Sequence, residues 1–304
     1  MNIEKRRSFL RGLGTALLAA SFVFAPAAAQ QVPAQVDKPA LWKIPGPKGN
    51  VYLFGSFHLL PPDVNWRTAA VDRALEEASV VVFETDLVAA QRPQTMQALI
   101  ANYGVLPPGE TLASVLPADT YAAFERAASE LLLPPAPLAP FRPWLAALLL
   151  SVQFVVSQGL DPGKGVDQQV MAWAQTHGKT LGALESNETQ IRVFADLTRA
   201  QEIELMAVTL RQIREMPQRL GELLTAYRTG NVAALEKTLN EGINEFPALR
   251  RRMINDRHDR WLPQIEKMIA DGRTHMIVVG AAHLAGPDSV VAMLRRKGVK
   301  IEGP

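Results

Sequence analysis

Two histidines stand in matching settings near opposite ends of the chain: Val51-Tyr52-Leu53-Phe54-Gly55-Ser56-Phe57-His58 and Met276-Ile277-Val278-Val279-Gly280-Ala281-Ala282-His283. Each follows an apolar, β-rich run, a glycine and two small or apolar residues. A run of this kind reads as a buried strand, and the glycine lets the chain turn sharply or approach another backbone closely. Two carboxylates occupy comparable places, Glu84 after Val80-Val81-Val82-Phe83 and Glu185 after Thr180-Leu181-Gly182-Ala183-Leu184. Imidazole and carboxylate are suitable ligands for divalent Mn, Co, Zn or Fe, and an incompletely filled coordination shell leaves room to activate water. His58, Glu84 and His283 are therefore candidates for a paired metal or acid/base site, with Glu84 either a ligand or the base. Glu185 has three readings: ligand, general base, or simple partner of Arg257 or Arg192.

For this chemistry to exist, the elements must bring those strand ends together. Trp42-Lys43-Ile44, a Pro/Gly-rich turn and Val51 to Phe54 read as a β-hairpin. Asp63 to Glu77 has helical spacing, with Trp66, Ala70, Ala74 and Leu75 along one side, and leads into Val80 to Glu84. Strand, helix, strand in this order predicts a parallel crossover that puts Glu84 at the same sheet edge as His58, the edge where open α/β sheets hold ligands. Residues 95–160 are mostly helical, including a nearly apolar helix within Phe141 to Leu160 that reads as buried core. Val166 to His177 is a helix before the Thr180 strand, and residues 189–271 carry long amphipathic patterns that predict a helical layer or cap. The chain returns with the His275 strand, a helix from Pro287 to Lys297 and a short strand at Val299-Lys300-Ile301. The expected class is α/β: a mixed, largely parallel sheet with flanking helices and a helical insertion, as one domain over 41–304.

Composition narrows the alternatives. The 304 residues are 48% hydrophobic and 20% charged, enough for a full α/β core, and a net charge of +2 gives no footprint for nucleic acid. With no cysteine, thiolate ligands, a cysteine nucleophile and disulfides are excluded. The N-terminus reads as an address. Lys5-Arg6-Arg7-Ser8-Phe9-Leu10-Arg11 precedes an apolar run ending in Pro26-Ala27-Ala28-Ala29, which predicts a signal peptide cleaved after Ala29. The paired arginines favour the twin-arginine route over ordinary secretion. Residues 30–40 follow as a tether, and the mature protein is expected in the periplasm or outside the cell, with no membrane span.

Gly55-Ser56-Phe57-His58, Phe83-Glu84-Thr85-Asp86, Gly159-Leu160-Asp161, Leu184-Glu185-Ser186-Asn187-Glu188-Thr189-Gln190 and Val279-Gly280-Ala281-Ala282-His283-Leu284-Ala285-Gly286, in that order, resemble the TraB/GumN family. That family is related to the Tiki metalloproteases and more distantly to erythromycin esterases and haem-binding lipoproteins. The resemblance implies an α/β fold with His58, His283 and Glu84 at the active centre. Arg252 to His258, followed by Trp261, looks like the family's Arg-Asn segment, with His258 where the asparagine stands. Arg257 could contact a carboxylate or oxyanion in the site. His258, next to it on a helix, is expected to face elsewhere and to be structural; Asp86 has the readings of second-shell support and helix cap, and His177 and His275 are read as structural. The resulting expectation is an exported Tiki-like metal-dependent hydrolase acting on a peptide or small molecule. The alternatives are a periplasmic haem- or ligand-binding protein without turnover, and an inactive partner-binding scaffold.

Overall fold

The computed structural model describes residues 37–304. The expected signal segment, its cleavage site and most of the tether lie outside the described residues. From Asp37 the chain is pinned rather than free: Asp37 is 3% exposed, accepts a hydrogen bond from the Asn65 amide and lies 3.6 Å from Arg228.

Five strands form one sheet in the order β1-β2-β5-β3-β4. Strand β1 (Leu41–Pro45) pairs antiparallel with β2 (Asn50–Ser56) as the hairpin reading requires. Strands β3 (Val80–Thr85), β4 (Thr180–Glu185) and β5 (His275–Gly280) all run parallel to β2. The sheet is mixed and mostly parallel, as expected. Its two glycine-histidine strands are direct neighbours: Gly55 stands opposite Val279 and Ser56 opposite Gly280.

Helices cover both faces, and side-chain alternation along the strands decides which face each covers. On one face Tyr52, Phe54, Val81, Phe83, Met276 and Val278 pack against α1 (Ala69–Glu77) and later helices. Helices α2 (Pro93–Tyr103), α3 (Ala118–Glu130) and α4 (Pro143–Ser157) build a separate apolar core around Phe124, Trp144 and Leu150. Helix α5 (Val166–Thr176) returns to the sheet, followed after β4 by α6 (Asn187–Ala195), the long α7 (Arg199–Thr229) and α8 (Val232–Asn244). The opposite sheet face, with Leu53, Val82, Ile277 and Val279, packs on Trp261 and Leu262 of α9 (Asp256–Ala270) and on Leu294 of α10 (Val290–Arg296). Among the described residues, no helix is long and apolar enough to cross a membrane.

Three local expectations are corrected. Helix α1 begins at Ala69, where the Thr68 side chain accepts from the Val71 amide; its buried side is Val71, Ala74 and Leu75, while Ala70 is exposed. Helix α10 starts after Ser289 rather than at Pro287, again with a hydroxyl cap. Val299 to Ile301 form no strand, because the segment reaches the hairpin edge through only one bridge, Lys43 to Glu302.

Candidate functional site

Each parallel strand delivers one ionisable side chain at or just beyond its C-terminal end: His58 from β2, His283 from β5, Glu84 from β3 and Glu185 from β4. Glycine makes the closest approach possible. The Gly280 amide donates to Glu84 Oε1 at 2.5 Å, and a Cβ on Gly280 would meet that oxygen at 3.0 Å. Helix α9 closes the cluster from its own face of the sheet with Arg257, which is 3% exposed. Its Nη2 donates to Glu84 Oε2 at 2.6 Å and lies 2.6 Å from Glu185 Oε1, while Nη1 donates to His283 Nε2 at 3.0 Å. Trp261, fully buried one turn further along α9, lies under the guanidinium at 4.5 Å and under the His283 ring at 4.7 Å, and its indole N–H donates to Glu185 Oε2.

His258 shares this centre, contrary to the expectation that it faces elsewhere. It is wholly buried, and its Nε2 lies 2.9 Å from His283 Nδ1, while its Nδ1 lies 2.8 Å from the Asp288 carbonyl. Neighbours on a helix do diverge, but an imidazole has nitrogens on two sides. Arg257 grips His283 at Nε2 and His258 grips it at Nδ1.

The direction of this chain follows from its first donor. A guanidinium can only donate, so His283 Nε2 accepts and its proton sits on Nδ1. His258 Nε2 then accepts, and its own Nδ1–H donates to the Asp288 carbonyl. Burial drives the His283 imidazole down to about 3, with Arg257 adding to the effect, and burial also lowers His258. Both rings are neutral at pH 7. Nitrogen-15 NMR of the imidazoles should accordingly find His283 as the Nδ1–H tautomer. His258→Phe should leave that proton without an acceptor and destabilise the protein by about 1–3 kcal/mol. A wild-type His283 carrying its proton on Nε2 would overturn the assignment.

Glu84 keeps its charge. Burial acts to raise its carboxyl, but the pull of His283, Arg257 and His58 and the Gly280 hydrogen bond bring it down to about 2. Among those three side chains, Arg257 supplies a charge independent of pH, since His283 is neutral.

His58 differs from the rest. Its ring is 63% exposed, and its Nδ1 is held at 2.8 Å by Asp167, a buried carboxylate in the first turn of α5. The attraction of Asp167 raises the imidazole above its ordinary value, although solvent around the ring screens part of that pull. Tyr227 of α7 backs this strand end: its hydroxyl donates to the Gly55 carbonyl at 3.1 Å, and its ring packs edge-on to Phe57. Asp167 is a member of the site that the sequence reading missed, since an acid in the first turn of a helix looks like ordinary dipole stabilisation.

The remaining predicted residues sort as follows. Asp86 caps the short helix Leu87–Ala90 through the Ala89 amide. Glu185 pairs with Arg257 and not with Arg192, which bonds Asp196 instead. His177 stacks on Trp173, and His275, at the opposite end of β5, bonds Asp271; both lie outside the cluster. A surface hollow of about 370 Å³ is lined by Phe83, Val88 and Leu181 and by none of the clustered groups. Phe83 belongs to the sheet face opposite the one packed on α9.

Whether these residues suit a divalent metal is decided by their donors. His58 Nε2 makes no hydrogen bond among the described residues, and with Asp167 fixing the other nitrogen, a metal there would displace its proton. His283 presents a lone pair at Nε2 backed by His258, and Glu84 is anionic. What already stands among His283, Glu84 and Glu185 is a cation, the Arg257 guanidinium, so the donor chemistry fits a positive ion. Buried Ser56 Oγ and Arg257 Nε, with no hydrogen-bond partner among the described residues, mark the same edge as unsatisfied. As they stand, no three His, Asp or Glu side chains among the described residues form a ready metal-ligating group. A metal bound through His283 and Glu84 would have to displace Arg257 from both.

Two comparisons bear on this arrangement. The model of the TraB/PrgY/gumN family matches residues 40–303. A protein of Treponema pallidum (strain Nichols), described as an uncharacterized protein, is 20% identical over 268 residues, covering 84% of this chain and 80% of its own length.

Proposed function

The chain belongs to the TraB/PrgY/gumN family, and from that premise we propose that it is an exported metal-dependent hydrolase of peptides. The observation that carries the proposal is the meeting of anionic Glu84, neutral His283 and Arg257 at the parallel strand ends, with exposed His58 as their outlet to solvent. A metal held by His58, His283 and Glu84 would supply Lewis acidity at that edge. Glu84, with its carboxyl near 2, is suited to holding positive charge rather than to carrying a proton. In the metal-free site Arg257, itself paired with Glu185, holds the Glu84 carboxylate and the His283 imidazole in place, and Trp261 packs against the guanidinium and the His283 ring. His58, alone exposed, is the group that can reach a bound substrate.

Elemental analysis after reconstitution with Zn, Mn, Co or Fe tests this reading. His58→Ala and His283→Ala should each lower retained metal at least tenfold, and Asp167→Asn should weaken affinity about 10–100-fold by freeing the His58 ring. Unchanged metal content in both histidine variants would refute the metal centre.

A further inference from the structure

Beyond Glu185 the row of charged groups continues. A groove of about 240 Å³ between α6 and α9 is lined by Arg192, Arg252 and Arg260 together with Thr189, Asp196 and Asp256. It is continuous with the candidate site, because Arg260 Nη2 lies 3.8 Å from Glu185 Oε2. Its arginines are incompletely used. Among the described residues the Arg260 guanidinium makes no hydrogen bond, Arg192 donates one, to Asp196 Oδ1, and Arg252 donates one, to the Asp196 backbone carbonyl. The lining itself carries three guanidinium groups and two carboxylates; Arg252 Nη1 also lies 4.0 Å from Asp196 Oδ2, and Asp256 also faces Arg251 at 3.4 Å. All three guanidinium groups are partly exposed, which leaves planar forks of N–H donors directed at incoming ligand.

We infer that this groove is a carboxylate-binding subsite, and that the hydrolase reading, on which this rests, applies to extended peptides carrying a carboxylate at a fixed distance from His58. The sheet supplies the distance. His58 follows β2 and Glu185 ends β4, three strand spacings apart in the order β2-β5-β3-β4, or roughly 14 Å. At about 3.3 Å per residue, an extended peptide crossing the strand ends covers that span in roughly four residues. A carboxylate about one residue further along reaches past Glu185 to Arg260, at the mouth of the groove that Arg192 and Arg252 line. It comes either from an acidic side chain or from a free C-terminus.

Four alanine-based hexapeptides separate those sources: Glu or Gln at the fifth position, each with a free or an amidated C-terminus. Calorimetric titration into the whole mature protein should show that a carboxylate in at least one of the two places tightens binding about tenfold over the Gln amide. The double variant Arg192→Gln/Arg252→Gln, with Arg192→Gln alone as a milder check on folding, should abolish or reduce that preference. Equal or undetectable binding of all four peptides, or a preference undiminished in the double variant, overturns the subsite. The two readings fail separately. If the protein is no hydrolase, no peptide is cut, yet the carboxylate preference in binding persists; if the subsite is wrong, peptides are cut without regard to charge.

Discussion

Replacing Arg257 with methionine should destabilise the protein by about 3–5 kcal/mol at pH 7, because it strands two buried carboxylates that share one cation. The loss has a pH signature. In the wild type the Glu84 carboxyl lies at about 2, below its ordinary 4.5, so its contribution to stability is fully present above 4.5 and is lost as pH falls toward 2. Without Arg257, burial dominates and the carboxyl moves up instead, so the variant suffers most where Glu84 must be charged. Urea denaturation at pH 7 and pH 3 should show a gap between wild type and Arg257→Met that narrows at the lower pH. Adding Glu84→Gln and Glu185→Gln should recover much of the loss, since the negative charges leave with the positive one. A gap that is the same at both pH values would mean that Arg257 acts through packing on Trp261 alone.

The second large effect is expected at Gly165, a residue outside every motif. A Cβ there would lie 2.1 Å from the His58 carbonyl oxygen and 2.7 Å from its carbon, both backbone atoms that cannot rotate away. The same stretch is tied by Val166 N–H donating to the Phe57 carbonyl and by Asp167 holding the His58 ring. Gly165→Ala must therefore push the segment bearing His58 away from α5, at a cost of about 1–3 kcal/mol or more from overpacking. Gly178→Ala is the control. Gly178 has φ +63° and nothing within 4 Å of an added Cβ, so its penalty of about 1–2 kcal/mol is conformational and local. Histidine NMR should show the His58 signals shifted in Gly165→Ala and unchanged in Gly178→Ala; unshifted signals in both would refute the clash.

The sheet was legible because β2, β3 and β5 carry apolar runs followed by a glycine or a carboxylate, a pattern that a buried parallel sheet enforces. His58, Glu84, Glu185 and His283 were found for the same reason, since a strand end fixes where its last side chain goes. Contacts made across the fold were not legible. Asp167 joins His58 only because Gly165 lets α5 approach the strand end, and nothing in the local pattern announces that approach. His258 was misplaced because helical periodicity describes the directions in which side chains leave a helix, not the two-sided partner they reach. The helix starts at Ala69 and Val290 were misjudged where a hydroxyl cap, rather than a proline or an aspartate, sets the first turn.

Strand β5 lies between β2 and β3, which do not pair with each other. It is the keystone of the sheet, and it comes late in the chain. Until residues 275–280 have emerged and inserted, β1-β2 and β3-β4 are two separate ribbons, each with a raw inner edge able to pair with another chain. His283 and the Gly280 amide join Glu84 and Arg257 only with the keystone itself. A chain lacking residues 275–283 would leave both ribbons with an unpaired inner edge open to another chain.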